Sequence, residues 1–150
     1  MAQHRFDVLG VDLSVESLKI AKKRAADAYI NAKFVAADVF DLPFNAETFE
    51  FMTDRGLFHL IEDRDRSRYA SEALRVLKPL GSVVIRGASE IVERERFNPV
   101  SDKAVDEFFP RKKWIRSDVV SMPLFSSVGA IDAGIVILKK RAGPFRQVIP

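Results

Sequence analysis

The chain contains no cysteine among its 150 residues, and its only histidines are His4 and His59. Disulfide bonds, thiolate nucleophiles and cysteine-ligated zinc are therefore excluded, and two histidines are too few for a histidine-based metal cluster. No apolar run approaches the ~18 residues of a membrane-spanning helix. No basic segment leads into an apolar signal core. These absences favour a cytoplasmic protein with no metal site and no membrane partner.

The remaining composition is that of a globular protein. Hydrophobic residues make up 47% and charged residues 30% of the chain, and the net charge is +3. A length of 150 residues suits a single domain over residues 1–150. Basic clusters such as 22–24 and 139–141 are interleaved with acids and lack an aromatic nucleic-acid motif. Solvated surfaces are therefore favoured over nucleic-acid binding.

Strand and helix patterns alternate along the first part of the chain. Strands are predicted at 6–13, 33–37, 48–53 and 82–86, and helices at 14–29 and 61–77. Ser14 is a suitable N-cap for the first helix, and Pro79 and Gly81 are typical of the end of the second. This alternation predicts an α/β fold, a Rossmann-like, mostly parallel sheet with helices on both faces.

The second part of the chain is less regular. A short helix is predicted at 102–109, and another is predicted to begin near Asp118. Residues 127–131 and 135–140 are predicted to pair antiparallel around a turn at Asp132-Ala133-Gly134. The sheet would thus end in an antiparallel C-terminal strand. The tail after Ala142 has no pattern, and we expect it to be loosely held.

Acidic residues follow three of the predicted parallel strands, at Asp12, Asp38 and Asp54. Right-handed crossovers place the carboxyl ends of such strands at one edge of the sheet. Ligands of open α/β sheets bind at that edge, where a carboxylate can hold ribose hydroxyls. The sequence therefore predicts that the three aspartates meet in a nucleotide-type site.

Four segments in this order resemble class I S-adenosylmethionine-dependent methyltransferases. They are Val-Asp-Leu-Ser at 11–14, the stretch 37–44 around Asp38, the stretch 49–56 around Asp54, and 74–81 with its Lys-Pro-Leu-Gly ending. The segment Asp-Arg-Gly-Leu-Phe-His at 54–59 is most similar to the thiopurine and tellurite-resistance type. The resemblance implies methyl transfer from S-adenosylmethionine to a small-molecule acceptor.

The resemblance also implies roles for the residues that would hold adenosine. Asp12 would accept hydrogen bonds from the ribose hydroxyls. Asp38 would accept from the adenine amino group, and the backbone N–H of Val39 would donate to a ring nitrogen. Leu13 or Phe40 would cover the adenine face. For Asp12 the alternative is a helix-start acid, and for Asp38 it is a turn residue.

The methionine end of the cofactor would lie near Asp54 and Arg55, and the guanidinium could pair with a carboxylate or an anionic substrate. The alternative for these two residues is a local ion pair. No catalytic residue is assigned, although an oxygen or nitrogen acceptor could use Asp54 or His59 as a base. A packed, hydrogen-bonded role is favoured for His59. Core packing is favoured over a substrate lid for Trp114 and the pair 108–109.

The sequence departs from this family at its start. The first strand, the glycine-rich loop and the next helix are missing, so the chain is predicted to be an N-terminally truncated domain whose cofactor binding could be impaired. The absent strand is the central one, so a gap of about 10 Å would separate the strands that end at Asp12 and Asp54. These two strands could pair directly and close the gap, a second copy could cover it as a homodimer, or the chain could be a fragment. The alternative functions are an inactive module in protein assembly and a nucleic-acid-associated subunit.

Overall fold

The computed structural model describes residues 6–89, 98–126 and 129–143. It divides into two compact units, one ending at Pro43 and the other beginning at Phe44. Both units combine helices with strands, so the predicted α/β class is confirmed at the level of local structure.

The first unit is a strand–helix–strand arrangement. It consists of β1 (Leu9–Asp12), α1 (Val15–Asp27) and β2 (Lys33–Ala36), and the two strands pair in parallel. The predicted N-cap is confirmed, because the Ser14 hydroxyl accepts a hydrogen bond from the Ser17 N–H at 3.1 Å. Both strands are shorter than the sequence pattern predicts. No described residue pairs with the second edge of β1.

The second unit is built on a five-stranded mixed sheet. Its elements, in order, are β3 (Phe49–Arg55), a 3₁₀ turn (Phe58–Leu60), α2 (Asp63–Val76), β4 (Leu77–Ala88), α3 (Asp102–Phe108), β5 (Trp114–Arg116), β6 (Val120–Ser126) and β7 (Gly129–Lys140). The strand order is β3-β4-β7-β5, and β6 also pairs with β7. Strands β3 and β4 are parallel, whereas β7 runs antiparallel to β4, β5 and β6. The second edge of β3 has no partner among the described residues.

The end of the chain differs from the prediction. The helix expected near Asp118 is wrong, because that region leads into β6. The turn expected at 132–134 is also wrong, because β7 continues through it. Pairing on two sides keeps this segment extended: Ala133 pairs with Ala88 on one side and with Met122 on the other. Residues 127–128 of the predicted hairpin, and the tail at 144–150, lie outside the described residues.

The two faces of the second unit's sheet differ in burial. Val83 and Ile85 of β4 are fully buried, and α2 contacts this strand. On the opposite face, Phe51 and Ile137 remain 43% and 50% exposed. Adjacent residues of a strand point to opposite faces. The side chains of β3 are therefore divided between a packed face and an open one.

Candidate functional site

Asp12 and Asp38 lie at the same edge of the first unit. Asp12 is the last residue of β1 and is paired in register with Ala36, the last residue of β2. Asp38 follows two residues later, and the Ala37 N–H donates to the Asp12 carbonyl at 3.1 Å. Neighbouring strands lie about 4.8 Å apart. The structure therefore brings these two predicted site residues together.

Each of these carboxylates keeps one oxygen available. The Ser14 N–H donates to Oδ1 of Asp12 at 2.8 Å, and the Phe40 N–H donates to Oδ1 of Asp38 at 2.9 Å. Both side chains are exposed, and neither Oδ2 has a partner among the described residues. The local turns thus fix the carboxylates and leave acceptor positions for a ligand.

The other predicted adenosine contacts surround these carboxylates in the chain. Leu13 is 74% exposed, whereas Val39 and Phe40 are half-buried. Within the described ranges, the Val39 N–H donates to no protein acceptor. Two carboxylate acceptors, a backbone donor and exposed apolar surface fit a nucleoside, which presents hydroxyl and amino donors on a flat apolar ring.

Asp54 lies in the second unit and is buried, at 6% exposure. Its carboxylate accepts four hydrogen bonds. The N–H groups of Gly56 and Leu57 donate to Oδ1 at 3.0 and 2.7 Å, and the Phe58 N–H and the Tyr69 hydroxyl donate to Oδ2 at 2.9 Å each. Burial raises the pKa of Asp54, and these hydrogen bonds act in the opposite direction. The carboxylate therefore holds the loop that follows β3.

The predicted meeting of Asp54 with the other two aspartates stays a prediction, because it belongs to a different unit. The alternative of a local ion pair between Asp54 and Arg55 is wrong. The two residues are consecutive in β3, so their side chains point to opposite faces of the sheet. None of the ion pairs among the described residues joins them. Arg55 is exposed. A catalytic base at Asp54 is disfavoured, because both of its oxygens already accept protein hydrogen bonds.

His59 has the packed, hydrogen-bonded role favoured by the sequence. It is 5% exposed, and its Nδ1 accepts a hydrogen bond from the Ala88 N–H at 2.6 Å. A Cβ at Gly87 would lie only 2.7 Å from this Nδ1, so only glycine allows β4 to approach the ring. The imidazole therefore joins the loop after β3 to the end of β4.

An aromatic cluster beneath this loop includes residues that the sequence analysis missed. Tyr69 lies 5.7 Å from Phe58, and Phe109 lies 5.5 Å from both Phe58 and Trp114, measured between ring centroids. Trp114 is 1% and Phe109 is 0% exposed, which confirms core packing for both. Burial and the Asp54 charge raise the pKa of Tyr69 well above its usual value. The sequence analysis missed Tyr69 because its link to the site is the hydrogen bond to Asp54, which lies 15 residues away in the chain.

Arg66 is buried against the same cluster. Its guanidinium carbon lies 4.2 Å from the Phe58 ring centroid, and one of its nitrogens donates to the carbonyls of Phe58 and Asn98. Burial lowers the pKa of Arg66. These bonds tie the loop after β3 to the segment before α3. A helical arginine among charged neighbours gives no sequence signal of such burial.

No group of three or more His, Asp or Glu within 6–89, 98–126 and 129–143 is arranged to hold a metal ion. In the same ranges, every helix is too short or too polar to cross a lipid bilayer.

Comparison with known proteins places these observations in a family. The profile described as "Methyltransferase domain" matches residues 1–81, more than half of the chain. A curated relative, the ubiquinone/menaquinone biosynthesis C-methyltransferase UbiE of Rickettsia felis, is 36% identical over 84 residues, which cover 55% of this chain and 33% of that protein. The match thus spans about a third of the length of such relatives.

Solved structures show the same fold. A SAM-dependent methyltransferase from Methanosarcina mazei superposes with a TM-score of 0.82 at 16% identity, over 95% of this chain and 85% of its own. The [4+2]-cyclase SpnF superposes with a TM-score of 0.74 at 14% identity, over 92% and 67% of the two chains. The fold alone therefore does not determine the reaction. Together with the profile match, these findings confirm the predicted Rossmann-like fold, and the chain belongs to the methyltransferase domain family, as its resemblance to class I S-adenosylmethionine-dependent methyltransferases predicted.

Proposed function

We propose that this chain binds S-adenosylmethionine and transfers its methyl group to a small-molecule acceptor. The observation that carries the proposal is the pair of carboxylates, Asp12 and Asp38, at the ends of two adjacent parallel strands. Each keeps one oxygen without a partner in the described part of the chain. Membership of the methyltransferase domain family supports the same ligand.

The adenosine half of the cofactor would be held by the first unit. Oδ2 of Asp12 would accept from the ribose hydroxyls, and Oδ2 of Asp38 would accept from the adenine amino group. The N–H of Val39 would donate to a ring nitrogen, and Leu13 or Phe40 would cover the ring. The turns at Ser14 and Phe40 fix both carboxylates before the ligand arrives, which reduces the entropy lost on binding.

When bound, the cofactor supplies a methyl group on a positively charged sulfur, which is already an activated leaving group. The protein has to align the acceptor with the methyl group and exclude water. A soft nucleophile such as a thiolate, which has already lost its proton to water, needs no general base. We assign no general base, because Nδ1 of His59 and both carboxylate oxygens of Asp54 already accept hydrogen bonds from the protein.

The proposal is tested by calorimetric titration with S-adenosylmethionine of the full chain and of Asp12→Asn and Asp38→Asn. Each substitution removes a charged acceptor, so we expect binding to weaken about tenfold or more. Asp7→Asn is the matched control: Asp7 is an exposed aspartate near the opposite end of β1, paired with Lys33. It should leave the affinity unchanged.

A thermal-unfolding series gives an independent readout. S-adenosylmethionine at 100 times its dissociation constant should stabilise the wild-type chain by about 2.7 kcal/mol. Transfer of a labelled methyl group to a panel of small thiols then tests the reaction itself. Absence of both binding and stabilisation at millimolar cofactor would refute the proposal, whereas binding confined to the millimolar range would indicate an impaired cofactor site.

Protein assembly is a second candidate function, favoured by the free sheet edges. Within the described residues β1 pairs only with β2, and β3 pairs only with β4. Val11 and Phe51, on these two edge strands, are 38% and 43% exposed. Exposed edges can pair with another chain, and we propose a homodimer that covers them. Sedimentation of the full chain tests this: a monomer at all concentrations contradicts it.

A further inference from the structure

Two arginines are neighbours at the carboxyl end of the parallel pair β3–β4. Arg55 is the last residue of β3 and is in register with Arg86 of β4. Residues paired in register across a sheet point to the same face, and their strands lie about 4.8 Å apart. Arg55 is exposed and Arg86 is half-buried. Two positive charges are therefore held side by side.

Neither guanidinium has a partner in the described part of the chain. The ion pairs of the described residues involve other arginines, such as Arg64 with Glu62 and Arg116 with Asp106. The Nε atom of Arg86 is buried without any hydrogen-bond acceptor. Like charges opposite each other destabilise a sheet, and a buried donor without an acceptor adds a further cost. An anion between the two side chains would offset both costs.

Arg55 and Arg86 are the hydrogen-bond donors that their described neighbours leave available at the carboxyl ends of β3 and β4. Asp54 points to the opposite face of the sheet, and it already takes the N–H groups of the loop after β3. Val84 and Ile135, which lie on the arginine face, are uncharged and half-buried. The positive charge of the pair is therefore not balanced from within the sheet.

We propose that Arg55 and Arg86 bind a carboxylate group of the methyl acceptor, an inference that rests on the proposed function. The guanidinium fork matches the two oxygens of a planar carboxylate. Phosphate sites in α/β folds rely on backbone N–H groups, and here those of Gly56, Leu57 and Phe58 are already used. The site lies at the strand ends where ligands of α/β sheets bind. On this proposal, the methyl acceptor is a small carboxylic acid.

A carboxylate could also come from the methionine part of the cofactor, and the experiment separates the two sources. S-adenosylhomocysteine carries that carboxylate, 5′-methylthioadenosine lacks it, and succinate supplies a carboxylate without a nucleoside. Each probe is titrated calorimetrically into the full chain and into Arg55→Gln, Arg86→Gln and the control Arg64→Gln. Arg64 is an exposed arginine of α2, 77% accessible in its side chain.

In NMR spectra of the wild-type chain, we expect succinate to shift the Nε–H resonances of Arg55 and Arg86. In calorimetry, we expect succinate to bind about tenfold more weakly to Arg55→Gln and to Arg86→Gln than to the wild type. The Arg64→Gln chain should behave as the wild type. Both nucleosides should keep their affinities in every variant. Arg55→Lys keeps the charge but not the fork, so it should restore only part of the succinate affinity, which guards against a folding defect in the glutamine variants.

Two outcomes overturn the inference, and a third refutes the function on which it rests. A loss of S-adenosylhomocysteine affinity in Arg55→Gln, with 5′-methylthioadenosine unaffected, assigns the arginines to the cofactor. Absence of any succinate response at Arg55 and Arg86 removes the anion site. Succinate binding without binding of either nucleoside refutes the proposed function instead, and it leaves the arginines as an anion site unrelated to methyl transfer.

Discussion

Replacement of Tyr69 by phenylalanine tests whether Asp54 is the anchor of the loop after β3. The Tyr69 hydroxyl donates to Oδ2 of Asp54 at 2.9 Å, inside a core where both side chains are buried. Phenylalanine keeps the ring in its place, 5.7 Å from Phe58 and 6.4 Å from Phe109 between centroids. The substitution therefore removes one hydrogen bond to a charged group and little packing.

The expected loss follows from the charge on the acceptor. A hydrogen bond to a charged group contributes about 1.5–3 kcal/mol, so Tyr69→Phe should lower the free energy of unfolding by about 2 kcal/mol. For a chain of this size, that corresponds to a fall in Tm of about 4–8 °C. Urea denaturation and thermal unfolding measure the two quantities. Tyr29→Phe is the matched control, because Tyr29 is 99% exposed.

A loss in Tyr69→Phe no larger than that in Tyr29→Phe would refute the geometry of the Asp54 anchor. A second variant, Asp54→Asn, sharpens the result, because an amide offers only one acceptor oxygen to the four donors. If the two side chains are directly bonded, the double variant should lose less stability than the two single losses added together. Strict additivity would contradict the bond.

Two further predictions concern other parts of the second unit. Gly87→Ala should destabilise the chain by about 1–3 kcal/mol, because the new Cβ would meet His59 at 2.7 Å, whereas Gly143→Ala, with no heavy atom within 4 Å, should be neutral in urea denaturation. A hydrogen bond from Arg116 lowers the pKa of Asp106. Because the folded-state pKa is depressed, this stabilisation is present above pH ~3.9 and is lost as the pH falls through the lowered pKa. The free energy of unfolding, measured between pH 2.5 and 5, should therefore fall less steeply with decreasing pH in Arg116→Gln than in the wild type. An unchanged profile would contradict the ion pair.

Local signals predicted the first unit well. The hydroxyl at Ser14 and the acid at Glu16 indicate a helix start, and α1 begins at the next residue after the serine. Asp12 and Asp38 follow strands whose parallel pairing is itself implied by the helix between them. Residues close in sequence thus contain enough information to place both carboxylates at one edge.

The second unit depends on contacts that sequence periodicity does not carry. In β3 the aromatic side chain of Phe51 lies on the open face, while Asp54 lies on the packed face. Hydrophobicity alone favours the reverse. The carboxylate is buried because donors from the following loop and from Tyr69 satisfy it, and such a set of partners is visible only in three dimensions.

The position of β7 has a consequence for how the protein is made. This strand follows the others of its sheet in the chain, yet it lies between β4 and β5 and also holds β6. During synthesis, β4 must remain without its antiparallel neighbour until residues as distant as Lys139 have emerged to pair with Ser82. Such long-range pairing slows folding and leaves apolar strand edges open to aggregation. A nascent chain stalled before β7 should therefore depend on chaperones, whatever ligand the finished protein binds.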